Sequence, residues 1–331
     1  MRSLSLIGHD VRWTGRLWSA SEFPDDEADR ERIVTAVGAG LGGVDWVLVM
    51  RPSTLDLGML MTLRRSADAR WAVWHSDDPV FFESLSVHVA QEYDLNLHAG
   101  DVRVLELYER VLGVRGWSFP FWVDPDVFPR VHRLDPPDWP LVFVGNAHTP
   151  VKRWRYDALS ALDGNVCVVG NAWPDPAGLS VGRTTEPAAA VTFVSRSGAA
   201  LNFHQRMSDY RGTRYWSARM EGCGEFTFPS RLAQYASWGV PAFTVTTDPA
   251  TAACVELLLP GIEVVPDAEE ALRRYRDEAV TTRAKRAQDA HAALHAKHTS
   301  TVRARFLDIL LHGGEHLSSG SARERSLAFL I

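Results

Sequence analysis

Two residues three apart on one short helix open the chemistry of this chain: Arg231 and Gln234, in the stretch Phe228–Pro241. The stretch predicts a helix that starts after Pro229 and stops at Gly239, followed by a β-type run over 241–246. Proline suits the first turn of a helix and glycine the position just past its end. A helix start beside a turn points free N–H groups outward and attracts phosphate. Arg231 and Gln234 share one side of that helix. The combination predicts a nucleotide or sugar-phosphate site. The competing reading is an ordinary surface helix carrying one Arg and one Gln.

Three upstream segments offer matching chemistry. Over 142–153 a strand runs into Gly145-Asn146, and Lys152-Arg153 stand where the next helix begins. Small residues let a diphosphate approach the backbone, and a basic side chain neutralises it; a plain strand–turn–helix with solvent-facing charges fits the same residues. A second strand ends in Gly170-Asn171 with Trp173 close by. Gly170 is placed to border a base and Trp173 to pack on it, or Trp173 simply caps the sheet. In Leu201-Asn202-Phe203-His204 the two polar residues lie on one face of an extended chain. His204 then donates to a phosphate or a sugar hydroxyl, or serves as a satisfied structural histidine. Earlier still, Trp74-His75-Ser76-Asp77-Asp78-Pro79 sets acids at a strand end. Asp77, Asp78 or His75 can take a proton as general base, or an Asp caps the following helix.

The elements that must position these groups alternate. Strand-like runs at 3–7, 46–50, 72–74, 95–98 and 116–120 are separated by helical stretches, of which 26–38 opens on acids and closes at glycine. After a proline-rich linker at 134–140, strands are expected at 141–144, 166–169, 190–194, 199–203 and 263–265. Helices are expected at 153–162 and near 250–258, and one long helical stretch over about 267–311. Alternation of this kind predicts parallel sheets with helices on both faces. Two such series give an N-terminal Rossmann-like domain over 1–135 and a C-terminal one over 136–312, facing a cleft at the strands' carboxyl ends. The Gly/Ser-rich residues 313–331 read as a flexible tail.

Bulk properties agree with this organisation. At 331 residues, 46% hydrophobic and 23% charged, the chain has the length for two globular domains. A net charge of −6 gives no overall basic footprint for nucleic acid, although a local basic patch is compatible with it. Cys167, Cys223 and Cys254 lack metal-type spacing and read as buried thiols of a reducing cytoplasm. The opening residues read as a first β-strand rather than a signal peptide, and no apolar run is long enough to span a membrane. Twelve tryptophans are enough to supply a stacking surface besides core.

In order, Trp74-x-x-x-Asp78-Pro79, Pro120-x-x-x-Asp124-Pro125-x-x-Phe128, Phe143-Val-Gly145, Val169-Gly170-x-x-Trp173, Leu201-Asn-x-His204, Arg231-x-x-Gln234-x-x-x-x-Gly239 and His298-Thr-x-x-x-Arg303 resemble the CgeB-like glycosyltransferases. These are relatives of the "glycosyl transferases group 1" enzymes of GT-B fold. The resemblance covers about residues 70–311. It implies two Rossmann-like domains, a nucleotide-sugar held mainly by the second, and no metal or other cofactor, with helix N-termini and basic side chains serving the diphosphate. Carried over, Gly145 and Asn146 line the cleft, Arg153 and Lys152 face the diphosphate, and Arg231 starts the donor-binding helix. Gln234 stands where relatives carry a glutamate that holds hydroxyls. Glu225 is a weaker candidate for a paired acid. The expected activity is sugar transfer to a hydroxyl or amine of a small molecule, polysaccharide, protein or modified DNA. A fold kept for binding without turnover and a nucleotide-sugar epimerase-like enzyme are the alternatives. A pyridoxal-dependent phosphorylase lacks the lysine context.

Overall fold

The computed structural model describes residues 2–12, 26–50, 55–131, 135–146, 153–170, 173, 180–182, 187–223, 229–317 and 320–330. In chain order the helices and strands are α1 (Arg2–Leu6), α2 (Glu27–Ala39), β1 (Trp46–Val49), α3 (Leu57–Ser66), β2 (Arg70–His75), α4 (Val87–Val89), β3 (Leu95–His98), α5 (Val102–Leu112), β4 (Gly116–Ser118), β5 (Trp139–Val144), α6 (Arg153–Ser160), β6 (Val166–Val169), β7 (Ser180–Gly182), α7 (Pro187–Ser195), β8 (Ser197–Phe203), α8 (Ser230–Trp238), β9 (Ala242–Val245), α9 (Pro249–Leu258), β10 (Glu263–Val265), α10 (Ala268–Asp277), α11 (Val280–Lys297), α12 (Ser300–Leu317) and α13 (Ala322–Leu327).

Two compact units share the chain. The first holds residues 1–120, 210–223 and 301–331, and the second holds 121–209 and 224–300. The sequence placed the boundary at 135/136. The crossover falls earlier, after Pro120, and the last 31 residues rejoin the first unit. Each unit is a parallel sheet covered by helices.

In the first unit the strands lie in the order β1-β2-β3-β4, all parallel. Asp26, Asp56 and Asp101 cap α2, α3 and α5 by accepting first-turn amides, which satisfies donors a helix cannot pair internally. Ile33, Leu60, Trp71 and Val73 fill the core beneath. The expected strand at 3–7 is helical instead, as α1. Its five alternating residues carry both periods, and β1 forms the edge of the sheet without a further strand beside it among the described residues.

The second unit has six parallel strands in the order β10-β9-β8-β5-β6-β7. Counted along the unit, that is the 3-2-1-4-5-6 order of a dinucleotide-binding fold, with its reversal between β5 and β8. Leu141, Phe143, Val168, Leu201 and Phe243 pack on one face of it. The apolar run 190–194 is part of α7, not a strand; Ala190 and Val194 are buried four residues apart, one helical turn. The long helical stretch breaks into α10, α11 and α12.

The expected flexible tail is ordered where described. Ser321 and Glu324 form a capping box for α13. Arg325, 2% exposed, donates to the Glu109 carboxylate and to the Gly116 and Gly320 carbonyls. Phe329 is buried beside the Arg303 guanidinium. Gly and Ser enrichment signalled flexibility, but two buried arginines bring their own partners.

Candidate functional site

The strand order reverses between β5 and β8, and the space beyond the carboxyl ends at such a reversal is where these sheets take ligands. Gly145 follows β5. Its N–H donates to Val169 O at 2.9 Å, and its carbonyl accepts Trp173 Nε1 at 2.8 Å. Gly170 follows β6 with φ +156°, and a Cβ there would lie 1.9 Å from the Gly145 oxygen. Glycine is therefore required for the two strand ends to approach. Asn146 is half-buried beside them, its Oδ1 3.1 Å from that Cβ position.

Helix α8 closes the arrangement as the sequence predicted. Pro229 is its N-cap and contributes no side-chain cap, and Gly239 ends it at φ +69°. Leu232, Tyr235, Ala236 and Trp238 are buried. The Tyr235 hydroxyl accepts Val144 N at 3.0 Å and donates to Leu201 O at 3.3 Å, so one phenol ties the helix to β5 and β8 at the reversal. Burial pushes its pKa up to about 12. Arg231 Nη1 donates to Gln234 Oε1 at 2.5 Å. Burial pulls the guanidinium's pKa down, the Tyr235 phenol opposing. An arginine has only donors, so the pair fixes the amide: its oxygen faces Arg231 and its NH₂ is left for a neighbour.

Other expected residues lie at or near the ends of these strands and helices. Asn202 is 3% exposed and donates from Nδ2 to Thr244 Oγ1 at 2.9 Å, its partner in the β8–β9 register. His204 is buried, with its N–H toward Val245 O at 3.5 Å. Trp173 packs edge-on to Phe143, which is the sheet-capping alternative. Arg153 opens α6, but its side chain, Lys152, Asn171 and Glu225 lie outside the described residues. Tyr235 escaped sequence reasoning; its only signal was an aromatic on the buried side of α8, next to Gln234.

The first unit separates the three candidate bases. His75, 1% exposed, has Nε2 2.9 Å from Asn96 Oδ1 and Nδ1 3.1 Å from Ser86 Oγ. Burial pulls its pKa down to about 4 despite the Asn96 contact. Asp78, 2% exposed, accepts the Tyr108 hydroxyl; burial pushes its pKa up to about 7, with the Tyr108 and Ser86 hydrogen bonds opposing. The ring of His98 stacks on His75 at 4.9 Å. Asp77 alone of the three is partly exposed, accepting Ser76 Oγ at 2.9 Å. Among the described residues no group of three or more His, Cys, Asp or Glu is placed to hold a metal ion. No described helix is long and apolar enough to cross a membrane.

Residues 149–308 match the family model described as "Glycosyl transferase-like". No curated protein sequence matches the chain. Among solved structures, TarM is similar over 86% of this chain and 58% of its own, at 7% identity and TM-score 0.54. The chain thus spans well under two thirds of TarM. The lipopolysaccharide outer core galactosyltransferase WaaB is similar over 87% of this chain and 81% of its own, at 12% identity and TM-score 0.50. The trehalose-6-phosphate phosphatase N-terminal domain of Candida albicans covers 94% of this chain and 81% of its own, at 11% identity and TM-score 0.52. At these identities the likeness is one of fold: two Rossmann-like units of the GT-B type.

Proposed function

We propose that this chain is a glycosyltransferase moving a sugar from a nucleotide-sugar donor to an acceptor hydroxyl or amine, within the CgeB-like group of GT-B enzymes. One observation carries the reading. The glycines ending β5 and β6 and the Arg231-bearing helix converge on the reversal of a 3-2-1-4-5-6 sheet; Gly170 and Arg231 fall within residues 149–308, the stretch that matches the glycosyl transferase-like family. The structure of S. aureus TarM with UDP supports a nucleotide diphosphate as the common part of the donor. Arg231 and the first turn of α8 offer positive charge for the leaving diphosphate in place of a metal.

Asp77 is the group we assign as general base for an inverting reaction, because His75 and Asp78 are buried and already hydrogen-bonded. A retaining reaction needs no such base. Buried Cys167 and Cys223 thiols support a reducing, cytoplasmic setting. One observation favours a second reading, binding without turnover: Gln234 spends its oxygen on Arg231 and has no charge to offer a hydroxyl. Turnover of nucleotide-sugar, by hydrolysis or transfer, decides between the two.

The experiment is a thermal-shift series with UDP, GDP, dTDP, CDP and their sugars. A nucleotide at about a hundred times its Kd adds about 2.7 kcal/mol of stability. Arg231→Ala is expected to weaken the shift for the best nucleotide. An unchanged shift takes α8 out of the site, and no shift with any nucleotide refutes the donor assignment.

A further inference from the structure

The stretch Tyr210–Cys223 lies between β8 and α8 in sequence but packs within the first unit. Met220 and Cys223 are buried there, Ser217 Oγ donates to the Glu83 carboxylate, and the Tyr215 ring meets Phe81 edge-on at 5.6 Å. The stretch carries Arg211, Arg214 and Arg219. Against α5 it forms a depression of about 530 Å³ lined by Arg110, Val111, Ala218, Arg219 and Glu221.

The charge in this groove is unbalanced. Arg110 Nη2 donates to Arg219 O at 2.8 Å, joining its two walls. Glu221 is paired with Arg211 at 3.4 Å. Neither the Arg110 nor the Arg219 guanidinium is ion-paired with a carboxylate among the described residues. Arg110 also sits in the last turn of α5, where a cation complements the helix dipole; Arg219 sits in the three-residue turn Ala218–Met220. Both arginines are exposed, and Val111 and Ala218 line the groove with them.

We propose that this groove binds a phosphate monoester. Such a group carries about −1.5 to −2 at pH 7, which matches two guanidiniums with no carboxylate partner among the described residues, and its oxygens fit the arginine fork. A carboxylate brings a single negative charge to two guanidiniums, and a neutral sugar brings none. Resting on the glycosyltransferase reading, the phosphate belongs to the acceptor; free inorganic phosphate shares its chemistry.

The test is a site-resolved titration of the full chain by nuclear magnetic resonance, following the Val111 and Ala218 methyl signals. The probes are glycerol phosphate, inorganic phosphate, glycerol and acetate. Both phosphates are expected to shift these signals, and glycerol to leave them alone. Arg110→Gln and Arg219→Gln should each weaken phosphate binding about tenfold or more, and Glu221→Gln should tighten it. Signals that do not move, shifts that persist in both arginine variants, or acetate acting as strongly as phosphate overturn the groove. Glycerol phosphate binding more tightly than inorganic phosphate supports an ester as occupant; equal or weaker binding overturns the acceptor as source. Nucleotide-induced thermal shifts are read separately, so loss of the donor reading and loss of the groove cannot be confused.

Discussion

Gly170→Ala tests the geometry on which the donor site depends. At Gly170 an added Cβ would sit 1.9 Å from the Gly145 oxygen and 2.7 Å from its carbon. Ordinary contact requires the carbonyl to retreat by about 1.5 Å. That carbonyl holds Trp173 Nε1, and the N–H of the same residue holds Val169 O, so two hydrogen bonds worth about 1 kcal/mol each are stretched. The φ of +156° adds strain of about 1–3 kcal/mol for a side chain. A loss of up to about 3–5 kcal/mol follows, or about 5–10 °C in Tm, with nucleotide affinity falling about tenfold because the strand ends move. Gly164→Ala is the control. It also has positive φ, +74°, but a Cβ there meets nothing within 4 Å, so it should cost about 1 kcal/mol and leave binding unchanged. Differential scanning fluorimetry and calorimetric titration give both readouts. A Gly170→Ala protein with the Tm and affinity of the parent would refute the reasoning.

The buried cluster of the first unit gives two opposed pH effects. His75 titrates near 4 when folded against 6.5 unfolded, so the unfolded chain binds more protons in that window; stability falls by about 3 kcal/mol as pH drops through it. Asp78, raised from 3.8 to about 7, does the reverse, losing its contribution as pH rises between those values. Asp78→Asn should therefore make stability climb more steeply with pH over about 4–7 in urea unfolding, and an unaltered slope rejects the shift. Asp77→Asn should lower turnover about a hundredfold with nucleotide affinity intact; full turnover removes Asp77 from the chemistry. Arg325→Ala should cost about 2 kcal/mol or more, below the usual 3–5 for a broken buried pair because Glu109 keeps water contact, and should expose the C-terminus to protease. A variant as resistant as the parent shows that the arginine does not hold it.

The reading of α8 from sequence succeeded because its ends are set locally. Pro229 cannot continue a helix backwards, and Gly239 takes the left-handed φ that stops it. Gly145 and Gly170 were legible for a related reason: a strand ending in glycine marks close backbone approach. Side-chain direction was not legible. Asp77 and Asp78 are adjacent, yet one faces outward and the other packs under Tyr108, a partner 30 residues away. Asn202 looked like a ligand residue because alternation gives its face but not its neighbour, Thr244. The same limit hid the docking of the last residues, since Glu109 and Gly116 lie far from Arg325 in sequence.

Position in the sheet accounts for which of these residues matter together. Between β5 and β8 the flanking crossovers lead away in opposite directions, and Val144 N and Leu201 O are backbone groups at that reversal. Unpaired when buried, each would cost about 1–3 kcal/mol. Tyr235 satisfies both with one hydroxyl. That requirement sets the rotation of α8 about its axis. With Tyr235 held inward, Arg231, one turn earlier, lies on the same side of the helix, and both it and Gln234 are half-buried. The position of the arginine is therefore a consequence of a backbone hydrogen-bond need at the strand reversal. Gln234, held by Arg231, inherits its orientation from the same phenol.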